Sequence, residues 1–263
     1  MTILDKIIAD KKIEVALRKQ LFPFEYWEAS PVFERTTNSL AKELRASKSG
    51  IIAEHKRRSP SKHNINSSLS VIDVAKGYED AGVCGMSVLT DGKYFGGSLE
   101  DLNVARAVTN FPLLRKDFII NEYQLIEAKA HGADVILLIA SVLTREEIKR
   151  LSTFAQSLGL EVLLEVHNLE ELEKSIMPSL DIFGVNNRNL KTFEVDLNTS
   201  RTLVEKIPTD FVKISESGIS DSAAILDLKT YGFEGFLVGE NFMKTNNPGA
   251  SAAAFIKEIE DEA

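Results

Sequence analysis

Glu54 and Lys56 stand two residues apart in the stretch Ile51-Ile52-Ala53-Glu54-His55-Lys56-Arg57-Arg58-Ser59-Pro60-Ser61-Lys62. The apolar, β-branched start of this stretch suits a buried strand, and strand alternation sends both charged side chains to one face. Burying such a pair is costly unless it has partners or a task. Taken alone, the stretch reads equally as an ordinary strand followed by a solvated basic turn. Further along, Lys116, Glu165, Asn186 and Glu216 each close a short apolar run. Lysines and carboxylates gathered in one cleft can exchange protons with a substrate and hold its anionic groups.

Such a gathering needs elements that bring the run ends together. Strand-like runs fall at 51–55, 85–89, 112–115, 134–138, 161–165, 182–185, 211–214 and 235–238, and helical spacing fills the gaps. Ile148, Leu151, Ala155 and Leu158 show that spacing, as do Ala224, Ile225, Leu228 and Tyr231. Glycines at His131-Gly132, Leu158-Gly159 and Tyr231-Gly232 read as helix ends leading into the next strand. Eight β/α alternations favour a closed (β/α)₈ barrel over a doubly wound open sheet, and the nucleotide-binding glycine motifs of open sheets are missing. The expected organisation is one barrel domain over 1–263, of which 1–47 is a helical N-terminal extension. Leu4, Ile7, Ile8 and Val15 give that extension an apolar stripe, and its aromatic segment around Trp27 is expected to pack into the core.

In such barrels the active site collects at the C-terminal ends of the strands. The residues at the far end of each run therefore matter most. Glu54, Lys56 and Ser59 stand there on the first, a glycine-rich loop with Phe95 on the second, and Lys116 and Phe118 on the third. Leu137 falls near the end of the fourth, Glu165 closes the fifth, and Asn186 and Arg188 come after the sixth. Glu216, Ser217 and Gly218 come after the seventh, and Gly239 and Glu240 after the eighth. Barrels often hold a phosphate in these last two loops, where glycine lets backbone N–H groups come close.

Composition narrows the field. The 263 residues carry a net charge of −8 and a pI near 5.2, which argues against broad binding to nucleic acid or an anionic membrane. A local lysine cluster can still receive an anionic substrate. No apolar run approaches the ~20 residues of a membrane span, and the N-terminus does not read as a signal peptide. Cys84 is the single cysteine, so no intrachain disulfide can form, and it reads as a small buried hydrophobe within the second strand. These features fit a cytoplasmic protein.

The segments Ile52–Ser61, Leu114–Ile119, Glu165-Val166-His167, Gly184–Leu190 and Ser215–Ile219 together resemble the indole-3-glycerol phosphate synthase family. The likeness runs in order along nearly the whole chain, extension included. It implies a (β/α)₈ lyase of tryptophan biosynthesis needing neither cofactor nor metal. Its reaction turns 1-(2-carboxyphenylamino)-1-deoxyribulose 5-phosphate into indole-3-glycerol phosphate, CO₂ and water. The likeness implies Lys116 as general acid for ring closure, Glu165 for a later step, and Lys56, positioned by Glu54, for substrate anions and the departing hydroxide. Asn186, Arg188 and Glu216 would orient the substrate, with Ser59 at its edge. Ser217, Gly218, Gly239 and the backbone of Glu240 would hold phosphate, and Phe95, Phe118 and Leu137 would shape the aromatic pocket. A phosphorylated small molecule is the implied partner, and a monomer or weak homodimer the implied state.

Departures sit in the first loop. His55, Arg57 and Arg58 are bulkier or differently charged than is usual there, and His63 replaces a common glycine, which implies a stiffer loop. His55, alternating away from Glu54 and Lys56, is expected to be a satisfied packing or surface histidine. The rivals are an isomerase of ribose-derived Amadori compounds and a barrel that has kept its fold but lost catalysis. The first calls for a different acid–base set, and the second for loss of polar groups that here persist together.

Overall fold

The computed structural model describes residues 2–190 and 192–262. Three helices come first: α1 (Ile3–Leu21), α2 (Phe24–Glu28) and α3 (Leu40–Ala46). Eight strands come next, with helices between them. They are β1 (Ile51–His55), β2 (Gly85–Leu89), β3 (Leu113–Lys116), β4 (Val135–Ile139), β5 (Glu161–Val166), β6 (Ile182–Asn186), β7 (Val212–Glu216) and β8 (Gly235–Val238). Each pairs in parallel with the next, and β8 returns to β1, closing a (β/α)₈ barrel. The strands β3 to β7 run one or two residues further than their apolar runs suggest. Backbone pairing does not stop where polarity begins: Lys116 is still opposite Leu89, and Glu216 opposite Asn186.

The period of two sorts side chains into two cores. Ile52, Leu114, Leu137, Leu163, Ile182 and Ile214 fill the barrel interior. Val88, Leu138, Leu164 and Phe183 point outward, packing with helical residues such as Ile148, Leu151, Ile225 and Leu228. Cys84 lies one residue ahead of β2 rather than within it, and is buried with the inner cluster. Leu40 and Leu44 of α3 join that cluster too, each burial worth roughly 2 kcal/mol. Ser39 caps α3, and the Ala41 N–H donates to Glu161 Oε2 at 3.0 Å. Thus α3 stoppers the N-terminal mouth.

Helix α1 starts on a reciprocal cap between Thr2 and Asp5. Its buried face is Ile7, Lys11 and Val15, spaced by four. That differs from the expected stripe: Leu4 and Ile8 are only half-covered, and a lysine sits at the centre. Trp27 packs as expected, its Nε1–H donating to Tyr123 Oη at 2.8 Å, whereas Phe24 and Tyr26 remain exposed.

Candidate active site

The inward row of each strand turns from apolar to polar at its C-terminal end. Ile52 leads to Glu54 and Lys56, Leu114 to Lys116, Leu163 to Glu165, Ile182 through Gly184 to Asn186, and Ile214 to Glu216. The polar groups at these ends line one cavity of about 510 Å³, as does every other residue picked out from the sequence for catalysis or binding.

Lys116 is its electrostatic centre. Nζ lies 2.5 Å from Glu216 Oε2 and 3.3 Å from Glu165 Oε2. Burial opposes its charge, but Glu216, Glu165 and the more distant Glu54 outweigh that and hold the ammonium above the usual lysine range. Burial would also raise Glu165, yet Lys116 and His167 pull it below the carboxylate range. Glu216 goes the other way, to about 7, because burial and the like charges of Glu165 and Glu54 exceed the pull of Lys116. Its Oε1 is buried without a hydrogen-bond partner. The Gly184 position allows this placement, since a Cβ there would run into Glu216 Oε1.

Lys56 Nζ lies 2.5 Å from Glu54 Oε1, the pairing expected from their spacing. A Cβ on Gly239 would meet that same oxygen at 2.6 Å, so this glycine makes room for Glu54 as well as lining the cavity. Asn186 Oδ1 accepts the Arg188 N–H at 3.0 Å, while the Arg188 guanidinium turns to Phe193 O at 3.2 Å. After β7, Ser217 has φ +68° and Gly218 +79°. The left-handed region costs a non-glycine residue about 1 kcal/mol, so strain is stored at Ser217. Ser59 and Lys62 bond to each other through their backbones in a tight turn, and Lys62 Nζ reaches Glu240 Oε1 at 2.6 Å.

An apolar wall faces the charges. Phe95 and Phe118 have ring centroids 6.0 Å apart, and Leu137 lies beside them. The sequence reading missed part of this wall: Ile3, Leu4 and Ile7 of α1, and Phe193 in the loop after β6. It also missed His167, whose Nε2 is 3.3 Å from Glu165 Oε1. Alternation from Glu165 was the signal that pointed there.

The first-loop histidine and arginines go elsewhere. His55 is 1% exposed, which rules out a surface position, and its Nε2 has no hydrogen-bond partner, so it is not a satisfied histidine either. Burial, then Arg57, pull its pKa down to about 4. Arg57 grips Asp101 (Nη2–Oδ1 2.9 Å), and Arg58 donates to Gly92 O at 2.7 Å. His63 is exposed. Among the described residues, no group of three His, Cys, Asp or Glu side chains is placed to hold a metal ion.

Fold and cleft together define a (β/α)₈-barrel enzyme built for acid–base chemistry. Its fold is shared with 3-hexulose-6-phosphate synthase from Salmonella typhimurium, at a TM-score of 0.62 over 81% of this chain and 100% of that one with 13% identity. The indole-3-glycerol phosphate synthase family model matches residues 4–256. Indole-3-glycerol phosphate synthase from Bacteroides thetaiotaomicron is 47% identical, covering 98% of this chain and 99% of its own. The enzyme of that name from Dechloromonas aromatica is 42% identical over 95% and 97%. The chain belongs to the indole-3-glycerol phosphate synthase family.

Proposed function

We propose that this cavity performs the family's reaction, with its labour divided among the strand ends. The substrate's aromatic ring lies along Phe95, Phe118 and Leu137, and its phosphate reaches Ser217, Gly218, Gly239 and the Glu240 backbone. The ring carbon bearing the carboxylate attacks the ribulose carbonyl carbon, and Lys116 gives the carbonyl oxygen its proton. Loss of CO₂ returns the electron pair to the ring. The new hydroxyl leaves as water with a proton from Lys56, held by Glu54, while Glu165 accepts the ring proton whose loss completes the indole. Asn186, Arg188 and Glu216 orient the substrate, and Ser59 borders it.

One observation carries this reading. Lys116 is a buried ammonium wedged between two carboxylates, opposite an aromatic wall, so a bound carbonyl would meet a positioned proton donor. The assay is direct: purified protein with the carboxyphenylamino-deoxyribulose phosphate should yield indole fluorescence with no added metal or cofactor. Absence of turnover by well-folded protein would sink the reading. Glu165→Gln should depress a step after ring closure, and an unchanged rate would remove it from the scheme.

The same reading makes this a cytoplasmic carboxy-lyase of tryptophan biosynthesis, working as a monomer or weak homodimer. No helix among the described residues is long and apolar enough to cross a membrane. Sedimentation at micromolar concentration tests the oligomeric state.

A further inference from the structure

Glu165 has a neighbour that takes no part in the proton transfers assigned so far. His167 comes after Glu165 on the same side of the chain, and both its ring nitrogens face carboxylates. Nε2 is 3.3 Å from Glu165 Oε1, within ion-pair range though off the angle of a hydrogen bond, and Nδ1 is 3.1 Å from Glu171 Oε2. Glu171 is itself fixed. It accepts the His167 backbone N–H at 2.9 Å and the Asn168 amide at 2.8 Å, and its own N–H donates to Asn168 Oδ1. These bonds belong to the N-terminal turn of the helix Leu169–Ser175. The imidazole is therefore held in one orientation, with Nε2 toward the active site.

A neutral imidazole has one N–H and one lone pair, so it would turn that lone pair on one of the two carboxylates. Only the doubly protonated ring suits both. We propose that His167 is a positioning residue for the reaction: it holds Glu165 at the oxygen Lys116 does not touch, keeping that carboxylate ionised and aimed until it takes up its proton. Burial works against the imidazolium, but Glu165 and Glu171 together raise its pKa to about 10. Other groups facing Glu165 are Lys116 from β3, Glu216 from β7 and Asn186 from β6. His167 also borders a second cavity of about 710 Å³, with Asp5 from α1, Glu170 and Lys174 from the helix after β5, and Arg188 after β6. That cavity gives small molecules a route to the ring from behind.

The inference rests on Glu165 acting in proton transfer, and the test separates the two. His167→Asn should lower kcat about tenfold near neutral pH with little change in KM, because Glu165 loses the contact that aims it, and it should raise the Glu165 pKa by about one unit. The acid limb of the kcat profile should move to higher pH by a similar amount. His167→Lys should restore part of the rate, and imidazole added to His167→Ala should do so through the second cavity. Glu171→Gln should give a smaller shift of the same sign, and it serves if the His167 variants fold poorly. Glu165→Gln inactive with all these profiles unmoved would overturn the role of His167 alone. Glu165→Gln fully active would overturn the reading beneath it.

Discussion

Two buried charge clusters lie back to back on β3, separated only by the direction in which neighbouring side chains point. Lys116 faces the barrel interior, while Arg115 and Asp117 face α1 and the outer helices. The outer cluster is fully compensated. Asp117 accepts from Thr90, Arg115 and Lys11, and Arg115 also pairs with Glu127 at 2.8 Å and donates to Gln124 O. Lys11, 1% exposed, bridges Asp91 and Asp117, each at 3.0 Å. The inner cluster leaves Glu216 Oε1 without a hydrogen bond and Glu165, Glu216 and Glu54 crowded around Lys116. A satisfied network fixes structure, whereas an unbalanced one retains groups that can still exchange protons.

The sharpest way to break this contrast is to mutate adjacent residues. Lys116→Met should cost about 10²–10⁴ in kcat, the weight of a general acid, with a modest stability loss because Glu216 can take up a proton. Asp117→Ala should instead cost roughly 3–5 kcal/mol in denaturant unfolding while the folded fraction keeps its kcat, since it leaves Arg115 and Lys11 short of a counter-charge. If the two variants showed the same balance of defects, the distinction would fail. Lys11→Met should destabilise by about 3 kcal/mol and raise KM, because α1 supplies both that bridge and part of the cavity wall.

The pH responses should differ as well. Burial and like charges pull Glu216 toward protonation in the folded state, so its charge costs stability as pH rises from the unfolded value near 4.5 through about 7. Glu216→Gln should therefore raise Tm at pH 8, leave it nearly unchanged at pH 5, and lose activity at both. Asp117 behaves oppositely. Burial is overcome by Lys11 and Arg115, its pKa is depressed, and its stabilisation disappears as pH falls below ~4. The smallest effect belongs to His55. It is held neutral with a folded pKa of about 4 against 6.5 when free, so it costs stability as pH falls between those values. His55→Gln should flatten the Tm decline in that window, and an unchanged slope would assign the decline to other groups.

Most of the barrel could be read from the chain because it depends on short-range pattern: apolar runs, a period of two, and polar residues where runs end. Glu54 and Lys56 declared themselves by spacing, and their ion pair is a consequence of it. Lys11 did not, because a lysine between Ile7 and Val15 reads as a break in an apolar stripe until Asp91 and Asp117 arrive from distant loops. The cavity-lining role of Ile3, Leu4 and Ile7 was hidden likewise: amphipathic spacing shows that a face is covered, not what covers it. His55 was assigned to the correct side of β1, but its full burial near the charges of Arg57, Asp101 and Glu54 depends on neighbours that strand alternation does not reveal.

The helix α3 stopper has a further consequence. With Leu40 and Leu44 closing one mouth and Ile52, Leu114, Leu163 and Ile214 filling the interior, nothing passes along the barrel axis. Substrate, CO₂, water and the indole product all use the opposite end. Traffic is therefore one-way in and the same way out, so product must clear the doorway before the next turnover can begin.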